Sequence, residues 1–358
     1  MSNTKNITIC NTLCNTEILA IFNDHDPALL EQLAQEAQKI TRRYFGRTIS
    51  LYAPLYLSNH CANQCVYCGF HASLKIPRRK LNEQEIEAEY QALAHAGIQS
   101  ILLLTGESRQ HTPPEYLEAA LKAAKKYFAN IALEVYPLET EEYARLNAAG
   151  CDGVTIFQET YDQARYKILH PAGKKSNYAY RYDAPRRIAL GGLRQITLGV
   201  LLGLADWRQD ILALHAQLRS LEKEFPGVDY AISFPRLRGT YDYKEKNYLV
   251  SDAELVKIIC VTRILFPRIG INLSTRESAS FRDRAVHFGV TKISAGSSTA
   301  VGGYAGLGAS PACPPDRAVL ENAPQFAVND ERSVAAVKAM LEKQGFDPVF
   351  TDWRCLAA

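Results

Sequence analysis

No block of basic residues stands out in this sequence. Its tightest run is KIPRRK at 75–80, and 41 Lys and Arg face 38 Asp and Glu for a net charge of +3. A nucleic-acid or anionic-membrane surface calls for a denser basic stripe, so neither partner is expected. Long apolar runs are missing as well: the longest, such as GVLLGLA at 199–205, fall far short of a membrane span. The N-terminus lacks a basic segment followed by an apolar run and a small-residue cleavage site, so a cytoplasmic location is the expectation. Nor is there the cysteine framework of a small secreted scaffold. Nine cysteines, an odd number, are spread over 358 residues at 10, 14, 61, 65, 68, 151, 260, 313 and 355. In a reducing compartment they read better as free thiols plus a metal site than as disulfides.

With 47% apolar residues, the chain is long enough for one large core or two domains. No low-complexity tract or long linker divides its middle. Short apolar runs alternate instead with amphipathic, helix-length segments. Strands are expected at 51–59, 101–107, 131–137, 153–159, 196–203, 230–238, 270–277 and 292–298. Their apolar residues are continuous rather than alternating, as in a parallel sheet covered on both faces. Helices are expected at 83–95, 114–128, 139–148, 208–224 and 252–266, several of them ending at Gly or Pro. Eight such units over about 250 residues point to a (β/α)8 TIM-type barrel. Periodicity does not show closure, so a doubly wound open sheet is the other solution. The barrel is expected at 51–305, after an N-terminal helical extension at 1–50 (with a helix at 27–44) and before a C-terminal extension at 306–358 with a helix near 333–344.

A barrel carries its chemistry at the C-terminal ends of its strands. Polar residues gather at those ends here: Asn59, Gly106 with Glu107, Gln158 with Glu159 and Thr160, Arg236 with Arg238, and Thr275 with Arg276 and Glu277. Directly after the first strand comes Cys61-Ala-Asn-Gln-Cys65-Val-Tyr-Cys68. Three thiolates within eight residues of loop can reach three corners of one iron–sulfur cubane and leave its fourth iron open to a ligand. Thiolates also favour zinc, which would want a fourth ligand such as His60 or His71.

CANQCVYCGF resembles the cluster loop of the radical S-adenosylmethionine (SAM) superfamily. The likeness runs from about Tyr52 to Trp353, through PLYLSNHCANQCVYCGF, LLLTGES, IFQETY, HPAGKKSNYAYRYDAPRRIALGG, GVLLGL, SFPRLR, NLSTRES and FTDW. Within the superfamily, these motifs are similar to the aromatic amino-acid lyases, and most of all to the tyrosine lyases of thiamine thiazole synthesis. The resemblance implies one [4Fe–4S] cluster on Cys61, Cys65 and Cys68, with SAM on its open iron. It places Tyr67 near the SAM adenine, Gly106 and Glu107 at its amino group, Gln158 and Glu159 at its ribose, and Arg181 at its carboxylate, with Arg186 and Arg187 as rivals. Tyr56, Arg276 and Ser294 match positions that hold the substrate's carboxylate and amine. A salt bridge from Arg276 to Glu277 or Glu107 is the structural alternative. Arg236, Arg238 and His170 are divided evenly between site and scaffold.

The implied reaction cleaves L-tyrosine at Cα–Cβ to 2-iminoacetate (dehydroglycine) and p-cresol. Its implied partners are the thiazole synthase ThiG, which takes up the product, and a flavodoxin or ferredoxin, which supplies the electron. Another aromatic substrate such as tryptophan is the nearest alternative, and a zinc-binding structural module is the alternative of a different class. The chain ends about 50 residues after its last barrel strand with no close cysteine pair, so no second cluster is expected.

Overall fold

The computed structural model describes residues 12–237, 247–306 and 325–351. Cys10, Cys313, Cys355, Arg238 and the last residues of the FTDW motif lie outside them. The first eight strands are β1 (Thr48–Ser58), β2 (Ser100–Thr105), β3 (Asn130–Glu134), β4 (Gly153–Glu159), β5 (Gln195–Val200), β6 (Asp229–Ser233), β7 (Gly270–Leu273) and β8 (Lys292–Ser294). Neighbours pair in parallel in that order, and β1 pairs with both β2 and β8. The sheet therefore closes, and the open doubly wound alternative falls away. A ninth strand, β9 (Asp347–Val349), adds a short parallel pairing to the start of β1.

All eight expected strands form, but most stop earlier than their apolar runs. β6 ends at Ser233 and β7 at Leu273, where the reading from sequence extends to 238 and 277. Regular pairing stops at those points, apart from an isolated parallel bridge between Leu202 and Arg236, and the remaining residues become loops at the barrel mouth. The connections are helical: α1 (Asn15–Asn23), α2 (Pro27–Phe45), α3 (Glu83–His95), α4 (Pro114–Ala124), α5 (Thr140–Ala148), α6 (Gln163–Leu169), α7 (Tyr178–Tyr182), α8 (Ala184–Leu190), α9 (Trp207–Glu224), α10 (Asp252–Leu265), α11 (Ala279–Ala285) and α12 (Val334–Lys343). Their starts are encoded locally. Asp26 caps α2 with Pro27 in the first turn, and Asn82–Glu85 and Ser251–Glu254 form capping boxes on α3 and α10. Helix α2 packs on α10, whose Lys257 donates to the carbonyls of Phe22 and Asp24 at the end of α1.

Alternation along the strands separates core from site. On β1, Leu51, Ala53, Leu55 and Leu57 are fully buried in the hydrophobic core, whereas Tyr52, Pro54 and Tyr56 line a cavity inside the barrel. The same cavity is lined by Leu102 and Leu104, Ala132 and Glu134, Thr155 and Phe157, and Lys292 and Ser294. The wall beneath β8 is held by Arg282, fully buried, which pairs with Asp330 and also donates to the Ser294 carbonyl. Replacing Asp330 with Ala would leave that guanidinium charge buried without its carboxylate, which costs about 3–5 kcal/mol. Chemical denaturation of the Asp330→Ala protein should show a stability loss of that size.

Candidate active site

The loop from Asn59 to Arg79 carries the three cysteines and is fixed by its own polar residues. The Asn59 side chain donates to the Pro77 carbonyl (2.8 Å) and accepts from Arg79 N–H (2.7 Å). The Arg78 guanidinium donates to the carbonyls of Asn59, Phe70, His71 and Leu74 at 2.7–3.3 Å. Three backbone bonds then pin the cysteine stretch to the mouth: Ala62 N–H to Glu107 O, Gln64 N–H to Ala172 O and Val66 N–H to Leu169 O, at 3.0–3.1 Å. Gly106 is required at the crossing, because a Cβ there would meet the His60 carbonyl oxygen at 2.4 Å.

All three cysteines line one cavity. Burial pushes the Cys61 thiol up to about 11 and raises those of Cys65 and Cys68, so the unliganded thiols hold their protons. N–H donors nevertheless point at the sulfurs. Asn63 N–H lies 3.5 Å from Cys61 Sγ, and Phe70 N–H and Gln325 Nε2 lie 3.4 and 3.6 Å from Cys68 Sγ. Such donors stabilise thiolates bound to iron, and the site fits a cluster in this respect. Among the described residues, no three His, Cys, Asp or Glu side chains converge as a single metal ion would require. The His60 ring instead stacks on His111 at 3.9 Å.

Beside the cysteines lies a network of two carboxylates and two cations. Glu107 accepts from Asn63 Nδ2 (2.7 Å) and Arg181 Nη1 (2.8 Å), with Lys175 Nζ at 3.7 Å. Glu159 accepts from Lys175 Nζ at 2.6 Å. Burial alone would raise the Glu107 carboxyl, but Arg181, Lys175 and Asn63 outweigh it and hold it at about 2; Glu159 is lowered in the same way. Arg181 is further aimed by its Nε bond to the Phe157 carbonyl (2.6 Å). Glu159 has φ of +72°, the one positive φ among described residues other than glycine, and it follows a bulge against Val200. Such backbone is costly for a side chain bearing a Cβ. Here it belongs to a turn that keeps the carboxylate in the cavity wall.

Tyr67 is buried among Leu169, Leu201, Leu204 and Leu237 and lines the cavity. Its hydroxyl lies 2.8 Å from His170 Nε2, and His170 Nδ1 lies 2.8 Å from the Tyr166 carbonyl. Burial holds the His170 ring down at about 3. The neutral ring therefore donates from Nδ1 to that carbonyl and accepts the Tyr67 proton at Nε2. His170 supports Tyr67 and does not line the cavity.

The cysteine-lined space is continuous with the deeper barrel cavity, since Tyr56, Leu104, Glu134, Arg276 and Phe326 line both parts. The Tyr56 hydroxyl donates to Gln325 Oε1 (2.9 Å), and Ser294 Oγ accepts from Thr275 N–H (3.1 Å). Arg276 lies against the Phe326 ring, 3.4 Å from its centroid, and its buried Nη1 has no hydrogen-bond partner among the described residues. The salt-bridge alternative for Arg276 does not form, because Glu277 pairs with Arg236 and Glu107 with Arg181. Arg236, buried, also pairs with Asp252 and donates to the Val250 carbonyl, and so belongs to the scaffold. Arg186 pairs with Glu224 in solvent and Arg187 with Asp183, which leaves Arg181 alone of the three at the cavity.

Gln158 departs from its expected place. Thr155, Phe157 and Glu159 line the cavity, whereas Gln158, the extra residue at the β4 bulge, is buried and does not line it. Four residues that the sequence reading did not single out do join the site: Asn63, Lys175, Glu134 and Gln325. Glu134 carried the same signal as Glu107 and Glu159, an acid closing an apolar strand. Lys175 sat in a GKK run that reads as solvated.

A parallel barrel with a three-cysteine loop and a charged recess at its mouth is the arrangement of a radical-generating iron–sulfur enzyme. The Radical SAM superfamily model matches residues 55–215, and the Biotin and Thiamin Synthesis associated domain model matches 233–347. The 2-iminoacetate synthase of Escherichia coli K12 is 40% identical over 342 residues, covering 95% of this chain and 88% of the relative. The crystal structure of the FeFe-hydrogenase maturase HydG from Carboxydothermus hydrogenoformans superposes with a TM-score of 0.86 at 32% identity, covering 96% of this chain and 77% of that one. Methylornithine synthase (PylB) shares the fold, with a TM-score of 0.73 at 20% identity over 97% of this chain and 96% of that one. The chain belongs to the radical SAM superfamily, in the family of the 2-iminoacetate synthases.

The close approach at Gly106 gives a direct test of the loop. Gly106→Ala should displace the His60 carbonyl and loosen the cysteine loop, while the barrel keeps its helical circular dichroism. Iron bound after anaerobic reconstitution, measured per chain, should fall to less than about half that of the parent, since metal sites depend on preorganised ligands.

Proposed function

We propose that this protein is a lyase cleaving the Cα–Cβ bond of L-tyrosine to 2-iminoacetate and p-cresol, with SAM converted to 5′-deoxyadenosine and methionine. The observation that carries this reading is Arg276, an unpaired guanidinium in the cavity that the three cysteines also line. An arginine buried without an acid is expensive, and a substrate carboxylate is its natural bidentate partner. The likeness to the 2-iminoacetate synthase of Escherichia coli K12 supports the choice of substrate.

One [4Fe–4S] cluster on Cys61, Cys65 and Cys68, together with SAM, supplies a 5′-deoxyadenosyl radical when bound. This chain's own residues bind and orient. Gly106 and Glu107 face the SAM amino group, Glu159 the ribose hydroxyls, Arg181 the SAM carboxylate, and Tyr67 the adenine. Tyr56 and Arg276, at the junction of the two cavity parts, and Ser294, on its deeper side, hold the amino-acid end of tyrosine, and its ring runs into the barrel away from bulk water. Loss of hydrogen near the amino nitrogen makes Cα–Cβ scission favourable, because it releases a resonance-stabilised benzylic fragment. 2-Iminoacetate hydrolyses in water, so an acceptor enzyme must take it up; the thiazole synthase ThiG fills that role in thiamine thiazole synthesis. A flavodoxin or ferredoxin supplies the two electrons that balance the reaction, one for SAM cleavage and one, with a proton, to convert the benzylic fragment to p-cresol, and the setting is cytoplasmic.

Anaerobic turnover with L-tyrosine, SAM and dithionite should give p-cresol, 5′-deoxyadenosine and glyoxylate in comparable amounts by mass spectrometry. Deoxyadenosine formed equally with and without tyrosine, with no p-cresol, would sink the assignment, and indole products from tryptophan would redirect it. Arg276→Leu removes a charge-assisted contact worth roughly 1.5–3 kcal/mol, so tyrosine affinity should fall about tenfold or more while SAM affinity changes little. Equal weakening of both ligands would place Arg276 in the SAM site or the scaffold.

A further inference from the structure

We propose that Glu134 binds the substrate's α-ammonium group and, with Arg276, forms a two-charge clamp for an amino-acid zwitterion. This rests on the amino-acid lyase reading above. The cysteine-lined cavity carries three cations, Lys175, Arg181 and Arg276, and three carboxylates, Glu107, Glu134 and Glu159. Lys175 and Arg181 are committed to Glu107 and Glu159. Arg276 and Glu134 remain, and among the described residues Glu134 makes neither a hydrogen bond nor an ion pair. Two opposite charges that share a cavity without touching match a ligand carrying both charges on adjacent groups.

Register places Glu134 at the level of the clamp. Tyr56 pairs with Leu104, and Leu104 with Glu134, so the acid stands two strand spacings, about 10 Å, around the wall from Tyr56. Arg276 and Glu134 both line the cysteine-facing and the deeper part of the cavity, whereas Tyr52, Asn272 and Ser294 line only the deeper part. The zwitterionic end of the substrate therefore fits at the junction, beside the reacting group, and the ring fits below it. The remaining cation at the deep end, Lys292, lies over the Tyr52 ring and is no substitute for an ammonium acceptor. Tyr56 and Ser294 give the amine hydrogen-bonding oxygens but no charge. Glu134 supplies the carboxylate: burial pushes it up to about 7 against the pull of Arg276, and an ammonium group seated beside it would favour its charged form.

Calorimetric titration of the cluster-loaded, SAM-bound enzyme with three ligands tests this: tyrosine, phenylalanine (no phenol hydroxyl) and 3-(4-hydroxyphenyl)propionate (no amine). Glu134→Gln should weaken tyrosine and phenylalanine alike, by about tenfold or more, and leave 3-(4-hydroxyphenyl)propionate within about threefold of the parent. Glu134→Asp, which keeps the charge, should restore the preference for tyrosine over the amine-free analogue. Unchanged tyrosine affinity in Glu134→Gln overturns the proposal. So does a loss shared by tyrosine and the amine-free analogue but not by phenylalanine, which would assign Glu134 to the phenol hydroxyl. An intact SAM affinity in the Gln variant shows that its site is folded. Failure of the parent enzyme to bind tyrosine at all would count against the lyase reading and not against the role of Glu134 within it.

Discussion

The contact on which the site depends most is the ion pair between Glu107 and Arg181, 2.8 Å apart inside the barrel mouth. Glu107 closes β2, Arg181 stands on α7, and Asn63 of the cysteine loop donates to the same carboxylate while accepting from Lys175 N–H. Three segments distant in sequence thus meet on one acid. Each charge would be costly to bury alone, and the pair is acceptable only because hydrogen bonds satisfy the remaining atoms. Arg181 spends its Nε on the Phe157 carbonyl, and Lys175 bridges to Glu159. The position of the cysteine loop is therefore tied to the charge state of the recess beside it. That coupling suits a site in which a cluster and a charged cofactor must sit within contact of each other.

The loop itself follows a different rule. It has no regular secondary structure, and besides the buried Tyr67 and Phe70, backbone carbonyls gathered by Arg78 and the Asn59 amide hold its shape. Arg263 shows the same use of an arginine in the scaffold: buried without an acid, it donates to the carbonyls of Phe266, Pro267, Ile269 and Gly289, and burial lowers it to about 9. Arg276 differs from both. Its Nη1 reaches no carbonyl and no carboxylate, which sets it apart as a ligand group and not a structural one.

Much of this was legible in the sequence. Continuous apolar runs gave the eight strands because both faces of a parallel barrel are covered, and the cysteine spacing marked the loop because few other arrangements need three thiolates so close. Strand ends were less legible: SFPRLR and NLSTRES keep strand-like residues past the ends of β6 and β7, with only the isolated Leu202–Arg236 bridge continuing the pairing. Gln158 and Glu159 looked equivalent as neighbours, but a bulge between Phe157 and Glu159 leaves only Glu159 in the cavity wall. Lys175 could not be separated from Lys174 by pattern, since its role comes from a short turn that drops its ammonium between two carboxylates. The pairing of Arg236 with Glu277 joins residues 41 positions apart and decides by exclusion that Arg276 is unpaired. No local rule contains that information.

The division of labour in the barrel follows from its geometry. The cluster loop, Glu107, Glu159 and Arg181 stand at the strand ends and in the loops beyond them, where the proposed reading puts the cofactor. The wall of the deeper cavity comes instead from inward residues of the strands, among them Tyr52 and Tyr56 on β1, Glu134 on β3 and Ser294 on β8, and in the proposed reading these face the substrate. Methylornithine synthase, which shares this fold at 20% identity, shows that the barrel tolerates wide change of sequence. A fold of this kind hosts many chemistries, and the inward residues rather than the barrel distinguish them. Within one cavity, two of three cations and two of three carboxylates neutralise one another near the cysteines. The pair left over, Arg276 and Glu134, stands where the two parts of the cavity meet, so the charge pattern of the wall supports the proposed division between a cofactor region and an amino-acid region.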